Sequence, residues 1–275
     1  MEHIAVISDI HSNLEALQAV LGHIRESVCS RIICLGDTVG YGADPEDCAK
    51  LVRENCKVSV MGNHDLEVVR PGCTGMGELA AIAIDYTCRN ISRETVDWLA
   101  SQQMSHIEQI GEHRLVFAHG CYPAETDFPY LINEFVSAAT MSAMQDHGLH
   151  IGFFGHTHLV NHFHAKNGDR HVVRNGMFDV TRTAFTRKPC QVHIFNVGSV
   201  GQPRCEQDWR ATYVSLEIDG YGVKSVNLHR VGYDVHKARS KILDAKLPPY
   251  LGDRLLQGWL PALDEVSPDG TSKRH

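Results

Sequence analysis

Residues 4–13 read Ile-Ala-Val-Ile-Ser-Asp-Ile-His-Ser-Asn. Four apolar residues that stop at a polar cluster are the pattern of a short buried strand whose carboxyl end opens into a loop. Behind it, Ser12 or Asn13 can cap a helix carrying Leu14, Leu17, Leu21, Ile24 and Val28 on one face. The unit recurs. Ile32–Leu35 runs into Gly36-Asp37, and Pro45 then stands at the first position of a helix beginning Glu46-Asp47-Cys48. Val58–Met61 runs into Gly62-Asn63-His64-Asp65. This order, β-α-β-α-β, predicts an α/β fold with a parallel start.

Later apolar runs behave alike. Leu115–Ala118 ends in His119-Gly120, Ile151–Phe154 ends in Gly155-His156-Thr157-His158, and Val192–Val197 follows. Helical patterns cover 77–90, 92–104 and 130–146. Strand patterns cover 114–118, 151–155, 161–165, 170–174, 192–197, 211–218 and 223–230. Two α/β halves packed sheet on sheet fit this order. A helical stretch at 234–262, broken at Pro248-Pro249, and a polar tail at 264–275 make a C-terminal appendage to a domain spanning 1–233.

The chain has 275 residues, 43% apolar and 21% charged, the balance of a folded globular protein. A net charge of −7 gives no overall positive field for a polyanion, which argues against a nucleic-acid coat protein. Nine cysteines include no C-x-x-C pair, so they read as reduced thiols in a cytoplasmic protein. The N-terminus has Glu2 and a short apolar run, without the basic region of a leader, and no apolar stretch is long enough to span a membrane. Eighteen histidines direct the search to metal chemistry.

Ligands in α/β sheets bind beyond the carboxyl ends of the strands. Five loops there would bring Asp9, His11, Asp37, Asn63, His64, His119, His156 and His158 together. Carboxylate and imidazole donors without thiolate suit Mn, Fe, Zn or Ni. Singly, a D-x-H or an H-x-H is commonplace; the ordered set is what points to a site.

In that order, D-x-H, G-D, G-N-H-D, H-G and G-H-T-H resemble the calcineurin-like metallophosphoesterase superfamily over residues 4–204. Asn196-Val197-Gly198-Ser199-Val200-Gly201-Gln202-Pro203-Arg204, Gly36–Gly42 and Leu247-Pro248 with Asp253-Arg254-Leu255-Leu256 resemble its small prokaryotic phosphodiesterases. The resemblance implies a four-layer αββα sandwich of two mixed sheets, and two divalent metal ions. One ion would take Asp9, His11, Asp37 and His158; the other would take Asp37, Asn63, His119 and His156, with Asp37 bridging. It further implies hydrolysis of a phosphodiester or nucleotide by a metal-bridging hydroxide. His64 would protonate the leaving group, or else hold a neighbouring group by a hydrogen bond. The partner is then a small phosphorylated substrate.

The Ser/Thr protein phosphatases of the superfamily carry G-D-x-V-D-R-G. Here the second Asp is Gly40 and the Arg is Tyr41, so phosphoprotein phosphatase activity loses its His-orienting and phosphate-gripping groups. Asp65 offers itself as a substitute orienter. Arg204 reads either as the replacement cation or as a surface loop residue. Asn13 either donates to phosphate or caps the first helix. Residues 165–190 set six cations against Asp169 and Asp179, a solvated hairpin or a face for an anionic substrate; His162, His164 and His171 beside it read as exposed. The rival functions are a monoesterase or nuclease on the same site, or an inactive scaffold. The scaffold is disfavoured because every expected ligand position is filled.

Overall fold

The structure is a computed structural model that describes residues 2–124, 126–165, 172–174, 182–184, 192–205 and 208–257. The expected opening is present as β1 (Glu2–Ile7), α1 (Leu14–Arg25), β2 (Arg31–Cys34), α2 (Pro45–Asn55) and β3 (Val58–Ser59). α3 (Asn63–Val69), α4 (Glu78–Arg89) and α5 (Arg93–Ala100) then lead to an antiparallel pair, β4 (Ser105–Ile110) and β5 (His113–Ala118). α6 (Glu134–Asp146) crosses to β6 (Ile151–Phe154), followed by β7 (Val160–Ala165), β8 (Val172–Arg174), β9 (Arg182–Ala184) and β10 (Val192–Val197). The chain closes with β11 (Ala211–Asp219), β12 (Gly222–Val231), α7 (Val235–Asp244) and α8 (Pro249–Gln257).

Two mixed six-stranded sheets result, in the orders β3-β2-β1-β11-β12-β9 and β4-β5-β6-β10-β7-β8. Strand alternation builds the layers. In β1, Ile4 and Val6 face the second sheet and meet Phe117, Phe153 and Phe195; Ala5 and Ile7 face Leu17, Val20, Leu21 and Ile24 of α1. Both faces of the strand are therefore apolar, which is why its sequence does not alternate with polar residues. α6 covers the outer face of the second sheet through Met141 and Met144 against Val116, Phe154, Phe163 and Ile194. The αββα sandwich is thus present. The C-terminal helices add Ala238, Ile242, Leu251 and Leu255 to a cluster with Ala83 of α4. They are also tied down by Lys241, which meets Glu15 at 2.8 Å and Asp44 at 2.9 Å.

Several boundaries differ from the sequence reading. α1 ends at Arg25, leaving Val28 74% exposed. The pattern over 92–104 yields a helix only over Arg93–Ala100, and the following β4 escaped the sequence reading because it is an edge strand with one half-solvated face and too weak an apolar signal. Residues 130–133 precede α6 instead of beginning it. Gly62-Asn63-His64 is a helix start, not only a strand-end loop. His162 is buried, since β7 lies inside its sheet between β10 and β8. Its Nε2 lies 3.0 Å from Nδ1 of buried His193, and its ring stacks on Phe195 at 4.2 Å. Burial pulls both imidazoles down to about 3. His171, the tail 264–275 and most of the basic segment 165–190 lie outside the described residues.

Candidate metal centre

The loops after β1, β2, β5 and β6, with the start of α3, converge on one end of the two sheets. The turns are backbone-driven. Asp9, His11, Asp37, His156 and His158 all have positive φ, between 50° and 64°. Non-glycine residues in this region are strained by about 1–3 kcal/mol each and persist only where their surroundings over-determine them. Here His11 N–H donates to Asp37 O at 3.0 Å and Asp9 N–H to Gly36 O at 3.0 Å, locking the first two loops together. Gly36, at φ 93°, and Gly62 touch back to back, and a Cβ on Gly62 would overlap the Asp37 carboxylate. Asp37 Oδ1 accepts the His64 N–H at 2.8 Å, capping α3.

Three imidazoles are oriented by backbone carbonyls. His11 Nδ1 faces Val39 O at 3.2 Å, His119 Nδ1 faces Leu35 O at 2.9 Å, and His158 Nδ1 faces Gln202 O at 2.7 Å. A carbonyl can only accept, so each Nδ1 carries the proton and each Nε2 presents a lone pair inward. His11 Nε2 and His158 Nε2 are 3.0 Å apart. His158 Nε2 is 3.3 Å from Asp9 Oδ1, and His119 Nε2 is 3.2 Å from Asp37 Oδ2 and 3.1 Å from Asn63 Oδ1. Converging lone pairs and carboxylates repel unless positive charge lies among them. The donor set Asp9, His11, His158 and the set Asp37, His119, His156 each bring their ligand atoms within 4.8 Å of one another, as does His11, Asp37, His64. Nitrogen and oxygen donors so arranged fit divalent transition-metal ions.

Burial lowers His119, but the carboxylates of Asp37 and Asp9 outweigh it and lift its pKa to about 9. Burial raises Asp9, yet His158 and His119 hold it at about 2. His11 and His156 are driven well down, by burial first and by neighbouring imidazoles next.

His64 is buried and lines a cleft of about 410 Å³. Burial, against partial opposition from Asp37, brings it down to about 4. Its Nδ1 has no hydrogen-bond partner among the described residues. Asp65 does not orient it: Asp65 Oδ1 accepts from the N–H groups of Thr38 (3.0 Å) and Val39 (3.2 Å), and Oδ2 from Gly62 N–H (3.2 Å). Asp65 instead clamps the Asp37 loop to α3. Arg204 is buried in the cleft wall, not a surface loop residue, and is the one Lys or Arg among the described lining residues. Asn13 lies outside this lining. Its Oδ1 accepts from Ala16 N–H at 3.1 Å and its Nδ2 donates to Gly201 O at 2.8 Å, so the amide is spent on capping α1 and tethering the 201 loop.

Sequence reasoning missed Tyr130, which stacks on His156 at 4.0 Å, and Phe128, edge-on to His119 at 5.7 Å. It also missed Gln202, whose carbonyl sets His158. Aromatics after a strand-end His-Gly were the available signal for the first two; a backbone carbonyl leaves none.

The family model for the calcineurin-like phosphoesterase superfamily domain matches residues 1–220. The protein MJ0912 of Methanocaldococcus jannaschii, described as uncharacterised, is 36% identical over 259 residues, 93% of this chain and 98% of the relative. The crystal structure of a metallophosphoesterase from Sphaerobacter thermophilus is similar with a TM-score of 0.75 and 30% identity, over 94% of this chain and 99% of that one. That of hypothetical protein PH1004 from Pyrococcus horikoshii OT3 shares the fold, with a TM-score of 0.72 at 17% identity over 94% and 99% of the two chains.

Proposed function

The chain belongs to the calcineurin-like phosphoesterase superfamily, and on that premise we propose that it is a dinuclear metal-dependent phosphoester hydrolase acting on a small phosphodiester or nucleotide. The observation that carries the reading is the convergence of three carbonyl-fixed imidazoles on Asp9 and Asp37. Asp9, His11, Asp37 and His158 would hold one divalent cation; Asp37, Asn63, His119 and His156 would hold the other. Bound there, the cations would supply charge neutralisation at the phosphoryl oxygens and an acidified water as nucleophile.

The chain's own groups do the rest. Arg204 grips a non-bridging oxygen from the cleft wall. His64 would deliver a proton to the leaving oxygen; neutral in the fold because burial lowers it to about 4, it would take that proton from solvent when a bound phosphoester adds negative charge beside it. Tyr41, Phe128 and Tyr130 surround the site with ring surface and help exclude water.

Preference for diesters follows from the same lining. A monoester dianion gains most from clustered cations, whereas one arginine between aromatic walls suits a monoanion with two organic arms. With Mn supplied, bis-p-nitrophenyl phosphate is expected to give a higher kcat/KM than p-nitrophenyl phosphate, with negligible turnover of phosphoserine peptides. A clear monoester preference would overturn the diesterase assignment; no metal-stimulated turnover of either would overturn the hydrolase.

A further inference from the structure

We infer that Arg254, carried by α8 beyond the matched family domain, is a positioning residue for His64, acting through the ring of Tyr41. The inference rests on the reading of His64 as the proton donor to the leaving group.

Among the described residues, His64 Nδ1 has no hydrogen-bond acceptor of the kind that ordinarily anchors a catalytic histidine. Gly40, at φ 90°, lies so close that a Cβ there would collide with Nδ1. A carboxylate carried at position 40 has no room in this arrangement. What holds the imidazole is ring packing. It meets His11 edge-on at 4.7 Å and Tyr41 at 4.5 Å, and Tyr41 also meets His11 at 4.8 Å.

Tyr41 in turn needs holding. It sits at φ 56° between Gly40 and Gly42, a strained backbone that its surroundings must hold, and its ring packs against the C-terminal apolar cluster. The Arg254 guanidinium carbon lies 4.7 Å from the Tyr41 ring centre, inside cation–π range. Arg254 is buried and donates to the Gln202 side chain, while the Gln202 carbonyl orients His158. Leu251 and Leu255, buried in the C-terminal cluster, fix the helix that delivers it. The contact series Arg254–Tyr41–His64, with its two rings tilted by 53°, thus stands in place of a hydrogen bond as a clamp supplied from α8.

The test compares Arg254→Met, Tyr41→Leu and the double variant on diesters whose leaving groups run from p-nitrophenol to unactivated alcohols, with metal content and melting temperature measured in parallel. Each single variant is expected to lose about 10–100-fold on poor leaving groups, part of the ~10²–10⁴ a general acid supplies, and much less on p-nitrophenyl esters. The double variant should lose little more than either single one, because both break one clamp. Arg254→Lys, which keeps a cation over the ring, should recover part of the loss and carries the test if the Met variant does not fold. Independently of turnover, the His64 imidazole NMR resonance in metal-free protein, assigned by its loss in His64→Gln, should shift and broaden in Arg254→Met.

Equal losses across leaving groups, multiplicative losses in the double variant, or an unmoved His64 resonance would overturn the inference alone. A His64→Ala variant without leaving-group selectivity would overturn the reading of His64, and the inference with it.

Discussion

Asp37→Asn is the sharpest perturbation of the centre, because the two carboxylate oxygens have separable jobs. Oδ1 caps α3 by accepting the His64 N–H at 2.8 Å, and an amide oxygen can do the same. Oδ2 faces His119 Nε2 at 3.2 Å and His11 Nε2 at 3.6 Å. There the variant would place an NH2 donor, or else lose the cap. The backbone arrangement should therefore survive while an anionic donor is lost from both candidate cation sets at once. Opposite unit charges at about 4 Å interact by about 4 kcal/mol at an effective dielectric of ~20. A divalent cation doubles this to about 8 kcal/mol, which at about 1.4 kcal/mol per tenfold sets an upper bound of roughly 10⁵–10⁶ in affinity for each cation. His158, which lies in one of those sets only, should cost a single cation when changed to Asn. The assay is metal content per chain by mass spectrometry after dialysis against graded chelator, with circular dichroism to show that the fold persists. Retention of two metals per chain at wild-type affinity in Asp37→Asn would refute the bridging role. Equal losses in Asp37→Asn and His158→Asn would refute the claim that Asp37 serves both sets.

His64→Ala is expected to keep its metals and lose ~10²–10⁴ in rate, less for acidic leaving groups; loss of a metal instead would assign His64 to the set it shares with His11 and Asp37. His162 and His193, held down to about 3 by burial, stay neutral in the fold while the unfolded chain binds protons below about 6.5. Stability should therefore be fully present above pH ~6.5 and fall as pH drops towards 3, by at most about 1.4 kcal/mol per pH unit per group. Denaturant titrations of metal-free protein should show that slope flattened in His162→Phe, and an unchanged slope would remove these residues as its source. Asn13→Ala should cost about 1–2 kcal/mol through the lost α1 cap and show as a lower melting temperature; a large rise in KM at unchanged stability would return Asn13 to the substrate.

The candidate ligand residues were legible because each is coded locally. A short apolar strand ends, a glycine or tight turn follows, and the Asp, Asn or His beside it falls at the strand's carboxyl edge whatever the rest of the chain does. Asp9, His11, Asp37, Asn63, His119, His156 and His158 needed only strand recognition and order to be gathered as candidates; their division between two ions came from the family resemblance. The same local logic placed Pro45 at the start of α2 and the break at Pro248-Pro249 between α7 and α8.

What the tertiary structure alone decided are the relations that carry no residue-type signature. The tautomers of His11, His119 and His158 are set by the backbone carbonyls of Val39, Leu35 and Gln202, and every residue has a carbonyl. Asp65 stands beside His64 in sequence, yet the first turn of α3 turns its carboxylate to the backbone of the Asp37 loop. His162 looked exposed because its depth depends on strands that pair on either side of β7, one of them β10, some thirty residues on. Arg254 reaches Tyr41 across more than two hundred residues only because α7 and α8 dock against α1 and α4. Sequence spacing determines which side chains lie at the end of one strand; long-range packing determines what stands opposite them.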